Sequence, residues 1–575
     1  MFKSGMRSGY AAMLAALCAT NAYAFDFSVG DTRVAWDSQL IFGLGLRTEA
    51  PGCTVSGGAP GSSDCAGGGN VAQWGNGSLG DLNYKKDRLY SGYAKGTSEV
   101  LLTMTDGWKA MVRGSYLYDA AAKNTAETSL SPAAVARVAP NAMLLDLWVS
   151  KSYEYDNMAG HVRVGRQVLN WGESYFAAGG INASNSFDTQ KLLTPGVQLK
   201  EAVLPAPMIV VAQGIAPGVN IEAYYQFGWN HDLFPAVGTY WSTSNQLGAG
   251  QIPSYTNPNN FNIATYAGNP AGAVGLYSPD HNPSAQGQGG VKLAFKPKSV
   301  TVDLGFYAEN YHDKTPVVGF DATSGTSYWR YLENRQLYGF SANFPLGDFS
   351  IGFETSYRPK DAVSLTGCFL ASGGTLDFNA NGSPGSCQEW KDMGKWQHDL
   401  VAQLNMQPSD YPILNTFGAN FAVLTMEGTI VQYPGVSDNG VVSSLQGGQQ
   451  VIQGYAAGYG AWLNGINPNQ TVASRGTSVS GGVTVDYNWT YDGTVIPQWQ
   501  MTPGVTFFYA AHGYTPNFLG QFLQGAKSLN FYLLFNQNPA VWQAGLNFTH
   551  YFGGNQISQP YSDRDNIGLF VTRNF

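Results

Sequence analysis

Charged residues are scarce in this sequence. Asp, Glu, Lys and Arg make up only 12% of its 575 residues, whereas about a quarter of the residues of a typical soluble domain are charged. So few charges cannot cover the water-exposed surface of a globular protein of this size. The formal net charge of −8 also disfavours nucleic acid as a partner, because phosphate binding depends on clustered Lys and Arg.

Long apolar runs are also missing beyond the N-terminal segment. A membrane-spanning helix needs about 18 consecutive apolar residues, and the best later stretch, 202–212, is short and contains Pro205 and Pro207. The sequence therefore excludes spanning helices. A closed β-barrel is the other structure that pairs every backbone polar group inside a bilayer. It agrees with the low charge, the 13% aromatic content and the 71 glycines.

The N-terminus predicts export. A basic start precedes an apolar stretch, 11–20, and Ala22-Tyr23-Ala24 supplies small residues for cleavage, which is the pattern of a signal peptide. We expect residues 1–24 to be removed and the mature chain to begin at Phe25. Lipidation at Cys18 is the alternative, but the Leu before it is a poor match to the small residue of a lipoprotein signal.

Four cysteines remain in the mature chain, an even number in a protein bound for an oxidising compartment. Four cysteines allow three pairings. The short spans favour one disulfide within each of two Gly/Ser-rich segments, Cys53 with Cys65 and Cys368 with Cys387. We expect these disulfides to stabilise loops and to take no part in chemistry.

Several segments alternate between apolar and polar residues. In 299–309, every second residue from Val300 to Ala308 is apolar, and the same rule holds in 219–229, 350–358, 479–489 and 542–548. Alternation is expected of strands that separate lipid from a lumen. A soluble β-sandwich also alternates, but its polar face is usually richer in Lys and Glu than the Gly, Ser, Thr and Asn found here.

Short turns and long polar segments follow one another along the chain, as in outer-membrane barrels. Short turns are predicted at 105–107, 156–160, 217–218, 296–298, 345–348 and 538–540. The long segments are 49–95, 120–142, 230–285, 312–333, 360–393, 434–472 and 511–525. Between a first strand at Thr32–Arg47 and a last at Asn566–Phe575, this spacing predicts one all-β domain, 25–575, a transmembrane antiparallel barrel of about 18 strands (16–18). Its surroundings would be outer-membrane lipid and lipopolysaccharide.

The C-terminal strand resembles the assembly signal of outer-membrane barrels. Ile567, Leu569, Val571 and the terminal Phe575 lie on one face of the predicted strand. Arg573 departs from this pattern, since an apolar residue is usual there. A long Arg side chain near the membrane interface can still place its charge in water.

One segment, 172–207, interrupts the alternation. Ser186 is predicted to cap a short helix that Pro195-Gly196 ends, and 197–203 predicts a further helical turn or two. A structured insert after the fifth strand is expected to fold into the lumen as a plug or constriction. A lid on the outer surface is the alternative.

The string Val162–Ser174, VRVGRQVLNWGES, with Gly180-Ile181-Asn182-Ala183 after it, resembles the signature of the domain-of-unknown-function-1302 family of Gram-negative outer-membrane proteins. The resemblance continues more weakly over most of the mature chain. It implies a barrel that moves hydrophobic compounds and is often encoded beside a periplasmic lipoprotein-fold partner and a resistance-nodulation-division transporter.

Several residues of this region are candidates for the solute path or the plug. Arg163 and Arg166 are three apart, so a bulge or strand end must lie nearby if both face one side. We expect them to pair with Glu173 and Asp188, the alternative being an anionic solute. Aromatic residues there could stack a solute or belong to an interface belt, and the asparagines are expected to bond the plug backbone. The remaining candidates are Asn170, Trp171, Tyr175, Phe176, Asn182, Asn185, Lys200 and Glu201.

Motifs for catalysis are missing. The seven histidines have no metal-binding spacing, and no Gly-x-Ser-x-Gly elbow or nucleotide-binding loop is present. We therefore expect no enzyme, no cofactor and no metal site. The sequence favours a passive channel or selective transporter for small hydrophobic or amphipathic compounds. A surface binding or adhesion protein, anchored by the barrel and binding through loops such as 230–285 and 434–472, is the alternative.

Overall fold

The computed structural model describes residues 25–52, 79–245, 247–251, 279–321, 326–365, 369–370, 390–437, 441–444, 450–458, 476–554 and 558–575. The predicted signal peptide lies outside these residues. So do Cys53, Cys65, Cys368 and Cys387. Both disulfides therefore stay predictions.

Within the described residues, the main antiparallel sheet has nineteen strands, and eighteen of them close into a barrel. The other strand, Phe25–Val29, pairs with the start of the first barrel strand. The strand pairing runs from each strand to the next, and the first strand pairs with the last from Gln39↔Asn574 to Arg47↔Asn566. The strands are β1 Thr32–Arg47, β2 Leu89–Thr103, β3 Trp108–Asp119, β4 Asn141–Tyr155, β5 Met158–Gln167, β6 Ala206–Ala216, β7 Val219–Gln226, β8 Gln288–Phe295, β9 Asp303–Tyr311, β10 Arg335–Leu346, β11 Phe349–Ser364, β12 Trp390–Met406, β13 Phe421–Gln432, β14 Val479–Ile496, β15 Trp499–His512, β16 Ala526–Gln537, β17 Trp542–Gly553 and β18 Asn566–Asn574. The predicted barrel of about eighteen strands is confirmed.

Apolar side chains cover the outside of the barrel. In β11, Ile351 and Phe353 point outward and are half-exposed, while Glu354 and Ser356, on the other face of the strand, point inward and are buried. Large exposed apolar residues recur on the other strands, for example Val149, Phe306 and Leu400. An apolar exterior on a closed sheet suits a lipid bilayer. The chain is an outer-membrane β-barrel protein of a Gram-negative bacterium.

The described helices are short: Leu79–Leu82, Pro132–Val138, Thr189–Leu192, Leu199–Ala202 and Ile413–Phe417, with 3-10 turns at Thr105–Gly107 and Ile181–Ser184. None of them has the length and apolar character needed to cross a membrane. Short strands outside the barrel wall are Phe25–Val29, Ser186–Phe187, Val203–Leu204, Val317–Asp321, Thr326–Arg330, Phe369–Leu370, Val441–Ser444 and Gln450–Gln453.

The two ends of the barrel differ in the length of their connections. The start of β1, the end of β18 and the short turns lie at one end, which is periplasmic in outer-membrane barrels. The sequence missed two connections at this end, a two-residue turn at 497–498 and a longer one, 407–420, that contains Ile413–Phe417 and ends its helix at Gly418 with φ 66°. The long connections lie at the outer end and include 554–565, which was also missed.

Arg573 lies between two aromatic rings at the periplasmic end. Its guanidinium is 4.9 Å from the ring centre of Trp542 and 5.2 Å from that of Phe575. The side chain is buried, at 4% exposure. Contacts of this kind attract a cation to the ring faces, so the departure from the apolar C-terminal pattern has a packing explanation.

Candidate functional site

Residues 168–205, here called the inserted segment, connect β5 to β6. Its contacts are with inward-facing residues of strands on opposite sides of the barrel. On one side it meets β2 and β3, through Lys95 and Ser115. On the other it meets β10 to β13, through side chains that include Glu354 and Glu427. The segment therefore bonds inward-facing residues of β2 and β3 and of β10 to β13.

Two wall carboxylates hold the N-terminal part of the inserted segment by its backbone. Glu354 of β11 accepts hydrogen bonds from the N–H groups of Glu173 at 2.6 Å, Ser174 at 3.1 Å and Ile181 at 3.0 Å. Glu427 of β13 accepts the N–H groups of the next three residues, 175–177, and the Ser174 hydroxyl at 2.8 Å. Hydrogen bonds to an ionised acceptor are the strong ones, so these two side chains fix the loop 173–181.

Three further wall residues bond the same loop. Arg358 donates to the carbonyl oxygens of Gly179 and Gly180, the latter at 3.1 Å. Gln397 donates to the carbonyl of Ala178 at 3.1 Å. Asn343 donates to the carboxylate of Glu173 at 3.0 Å, so the predicted residue Glu173 has an amide partner instead of an arginine.

Trp171 anchors the start of the segment against the wall. Its indole N–H donates to Glu222 of β7 at 2.6 Å. Its ring lies 5.2 Å from Tyr224 and 5.7 Å from Tyr307 between centroids. The side chain is only 3% exposed. It therefore packs the segment onto β7 and β9 and offers no free face to a solute.

The C-terminal part of the segment is held by ion pairs. Glu201 accepts from Lys95 at 2.8 Å and from Thr97 at 3.3 Å, and all three side chains are buried. Lys200 bonds Glu99 at 3.3 Å in a more exposed position. A buried pair of this kind becomes costly when one partner is removed.

Asp188 caps the helix Thr189–Leu192. Its carboxylate accepts the N–H of Lys191 at 3.1 Å and also meets Arg137, from the loop before β4, at 3.2 Å. The predicted cap, Ser186, was wrong, because Ser186 instead pairs with Leu204 in a two-residue strand. The predicted end of this helix at Pro195-Gly196 lies just beyond its last turn, where Gly196 has φ 65°.

The structure gives Arg163 and Arg166 other partners than those predicted. Arg163 donates to Gln167 and lies 5.4 Å from the ring centre of Trp148. Arg166 donates to the carbonyl of Leu145 at 3.4 Å. The predicted pairing with Glu173 and Asp188 was therefore wrong. The pairings of β5 show no register shift, but the strand ends at Gln167, one residue after Arg166, so the expected strand end does lie nearby.

Two of the three asparagines bond within the segment. Asn185 accepts the N–H of Leu169 at 3.3 Å, donates to its carbonyl at 2.5 Å and also donates to the side chain of Asn182. Asn170 is exposed. The first two thus tie the turn 181–185 to the end of β5.

The exposed surface of the segment is mostly apolar. Tyr175 is 68% exposed, Phe176 40% and Leu199 65%, and the rings of Tyr175 and Phe176 meet edge to face at 5.0 Å. Between Trp171 and Leu204 the other exposed residues are Ala178, Leu192 and Lys200. The half-buried inward side chains of β14 to β17 are instead largely uncharged and polar: Thr484, Asp486, Asn488, Thr506, Asn530, Tyr532, Asn547 and Thr549.

A family model described as "Protein of unknown function (DUF1302)" matches residues 6–575. The chain belongs to the DUF1302 family. No curated protein matches it.

This DUF1302 protein is also similar to solved structures at low identity. A Pseudomonas aeruginosa OpdK structure with vanillate is 10% identical with a TM-score of 0.40, covering 95% of this chain and 99% of that one. Acinetobacter baumannii OccAB3 is 8% identical with a TM-score of 0.41, covering 95% and 100%. Acinetobacter baumannii OccAB1 is 12% identical with a TM-score of 0.41, covering 94% and 96%.

Sequence reasoning missed the wall residues that hold the segment in this DUF1302 barrel. Glu354 lies on the polar face of the alternating segment 350–358, and a lone acid beside Ser and Gly is the one signal that marked it. Glu427 carried the same signal. Their partners are backbone N–H groups some 180 and 250 residues away in sequence, and no side-chain pattern encodes such partners.

Proposed function

We propose that this protein is a passive outer-membrane channel in which the inserted segment is the constriction. The observation that carries the proposal is the set of hydrogen bonds from Glu354 and Glu427 that hold loop 173–181 across the lumen. An insert attached to the wall at so many points would narrow the lumen from within and would not cover its outer mouth as a lid does. Ion selectivity in such pores follows the residues that line the narrow part.

We further propose that the solutes are small hydrophobic or amphipathic compounds. The exposed rings of Tyr175 and Phe176 would stack their apolar part, since aromatic faces bind apolar surface well. The uncharged Asn, Thr and Tyr side chains of β14 to β17 would hydrogen-bond their polar part. This combination of one apolar and one polar wall supports an amphipathic solute over a strongly charged one.

Planar-bilayer conductance and liposome swelling test both proposals. Purified protein should conduct ions and should admit an uncharged aromatic alcohol faster than a sugar of similar size. Replacing Tyr175 and Phe176 by Ser should reduce that preference about threefold to tenfold, as expected when aromatic contacts of about 0.5–1.5 kcal/mol are lost. Tyr155→Ser, an exposed Tyr at the end of β4 (72%), is the matched control and should keep the preference. Absence of conductance would favour the surface-binding alternative.

A periplasmic lipoprotein-fold partner and a resistance-nodulation-division transporter remain proposals that rest on the family resemblance. A partner of this kind would couple the barrel to an energy source. Crosslinking in cells followed by purification of the barrel tests this proposal. Recovery of neither protein would contradict it.

A further inference from the structure

A cavity of about 580 Å³ lies at the outer end of the barrel, beside the inserted segment. Described residues from three outer connections line it: 131–137 before β4, 231–234 with 248–251 and Asp280 between β7 and β8, and Trp329 between β9 and β10. Its size is within the range of about 300–1,000 Å³ that is usual for small-molecule sites. A solute that enters from outside would reach this cavity before the loop 173–181.

The walls of the cavity are largely apolar. Leu233, Phe234 and Trp329 line it together with Pro132 and Ala133. Phe234 and Trp329 pack edge to face with ring centres 5.3 Å apart. Trp329 is itself buried, at 6% exposure, so Leu233 and Phe234 would supply most of the apolar contact with a ligand.

The charged residues of the cavity already have protein partners. Arg137 bonds Asp188 at 3.2 Å. Asp232 accepts from the N–H of Phe187 at 2.8 Å and from the Thr315 hydroxyl at 2.9 Å. Asp280 accepts the N–H of Trp329 at 2.9 Å. The Nε of Arg137 has no hydrogen-bond partner among the described residues, but it is buried. A charged ligand would compete with the bonds above, whereas an uncharged one would leave all of them in place.

The environment of His231 favours its uncharged form. Its Nδ1 is 3.1 Å from the Tyr331 hydroxyl, and its ring stacks on Trp229. Burial lowers the pKa of His231. A hydrogen bond to the backbone carbonyl of Asp232 and the charge of Asp280 oppose this shift, and the charges of Arg137 and Lys314 add to it. The imidazole therefore adds a further flat, uncharged surface to the cavity.

The cavity is joined directly to the inserted segment. The N–H of Leu233 donates to the carbonyl of Phe187 at 2.8 Å, and the N–H of Thr189 donates back to the carbonyl of Leu233 at 2.9 Å. Leu233 and Asp232 thus both line the cavity and form hydrogen bonds with the inserted segment. A ligand seated on these residues lies one hydrogen bond from the constriction.

We infer that this cavity is a binding site for an uncharged, largely apolar small molecule, which it collects at the outer mouth before passage along the segment. The inference rests on the proposed channel function for the step of passage. Binding itself does not depend on that function. Three observations support the inference. The walls of the cavity are apolar, its charged residues already have protein partners, and Asp232 and Leu233 both line the cavity and bond the inserted segment.

Fluorine NMR of the protein in amphipol measures binding without a detergent micelle. The probe is 4-fluoroacetophenone, and 4-fluorobenzoate is its anionic counterpart. We expect the ketone signal to broaden on addition of protein and the benzoate signal to stay sharp. Ala249→Trp, which fills the cavity, should weaken ketone binding about tenfold or more, a loss of about 1.4 kcal/mol. Ala540→Trp, on an exposed turn at the periplasmic end, should bind as the unmodified protein does.

The Ala249→Trp variant counts only if it folds, which is shown by a band that migrates faster before boiling than after it. Phe234→Ala provides a second test if that variant does not fold. It should weaken ketone binding several-fold. Tighter binding of benzoate than of ketone, or ketone binding that neither cavity variant changes, would overturn the inference. Ketone binding in a protein that conducts no ions would instead leave the site in place and reject the channel function.

Discussion

Glu427 shows how one side chain can position a loop without contacting any other side chain of opposite charge. Its two oxygens accept three consecutive backbone N–H groups, 175–177, and one hydroxyl. Hydrogen bonds to a charged group contribute about 1.5–3 kcal/mol each. The exposed pair Tyr175 and Phe176 is therefore held where it is by a residue of the opposite wall.

Glu427→Gln should release this loop. One carboxylate oxygen becomes an NH₂ group that faces N–H donors, so at least one or two backbone groups lose their acceptor at about 1–3 kcal/mol each. We expect a higher single-channel conductance and greater current noise in planar bilayers. Asp486→Asn is the matched control, since Asp486 also faces the lumen but bonds Thr506 and Tyr532 of the wall. Identical noise in both variants would show that Glu427 does not restrain the loop.

The corrected helix cap gives a second test at the level of single residues. Asp188→Ala should cost about 0.5–2 kcal/mol of local stability, as for other N-caps, and it also removes the partner of Arg137. Ser186→Ala should cost little, because no hydrogen bond of the buried Ser186 hydroxyl is found among the described residues. Hydrogen exchange of the Lys191 amide measures the difference. Faster exchange in the Ser186 variant than in the Asp188 variant would restore Ser186 as the cap.

Among the elements, the strands could be predicted closely and the inserted segment could not. Alternation and turn residues are local signals, and they placed β1 at the observed Thr32–Arg47 and β18 within one residue of its observed end. The contacts of the segment are not local. Arg163 and Asp188 are in the same stretch of sequence, yet the fold brings Asp188 to Arg137 of a different loop.

The segment is held at its C-terminal end by the pair of Lys95 with Glu201, which joins it to β2. Removing one partner of a buried pair costs about 3–5 kcal/mol, so Lys95→Ala should free residues 189–204 to exchange and to be cut by protease. The exchanged pair, Lys95→Glu with Glu201→Lys, should recover part of the protection. Equal protection in Lys95→Ala and the unmodified protein would mean that the pair contributes nothing.

For the whole molecule, closure of the barrel is the condition on which the site depends. The wall residues Lys95, Glu354 and Glu427 lie on strands far apart in sequence, and they face one another only because β1 pairs with β18. That pairing covers nine residue pairs and continues to Phe575, whose N–H donates to the carbonyl of Ser38 at 2.8 Å. An open sheet would leave the backbone groups of both edges unpaired in lipid, at several kcal/mol each.

Deleting residues 566–575 should therefore abolish the folded barrel, while Arg573→Lys should retain it, since a Lys also carries a positive charge to the rings of Trp542 and Phe575. The measurement is electrophoresis of unboiled and boiled samples after refolding into detergent. The unmodified protein and Arg573→Lys should each give a faster band that boiling removes, and the deletion should give only the slower band. A faster band from the deletion would mean that seventeen strands close without β18. The strand order would then no longer explain why Glu354 and Glu427 face Lys95.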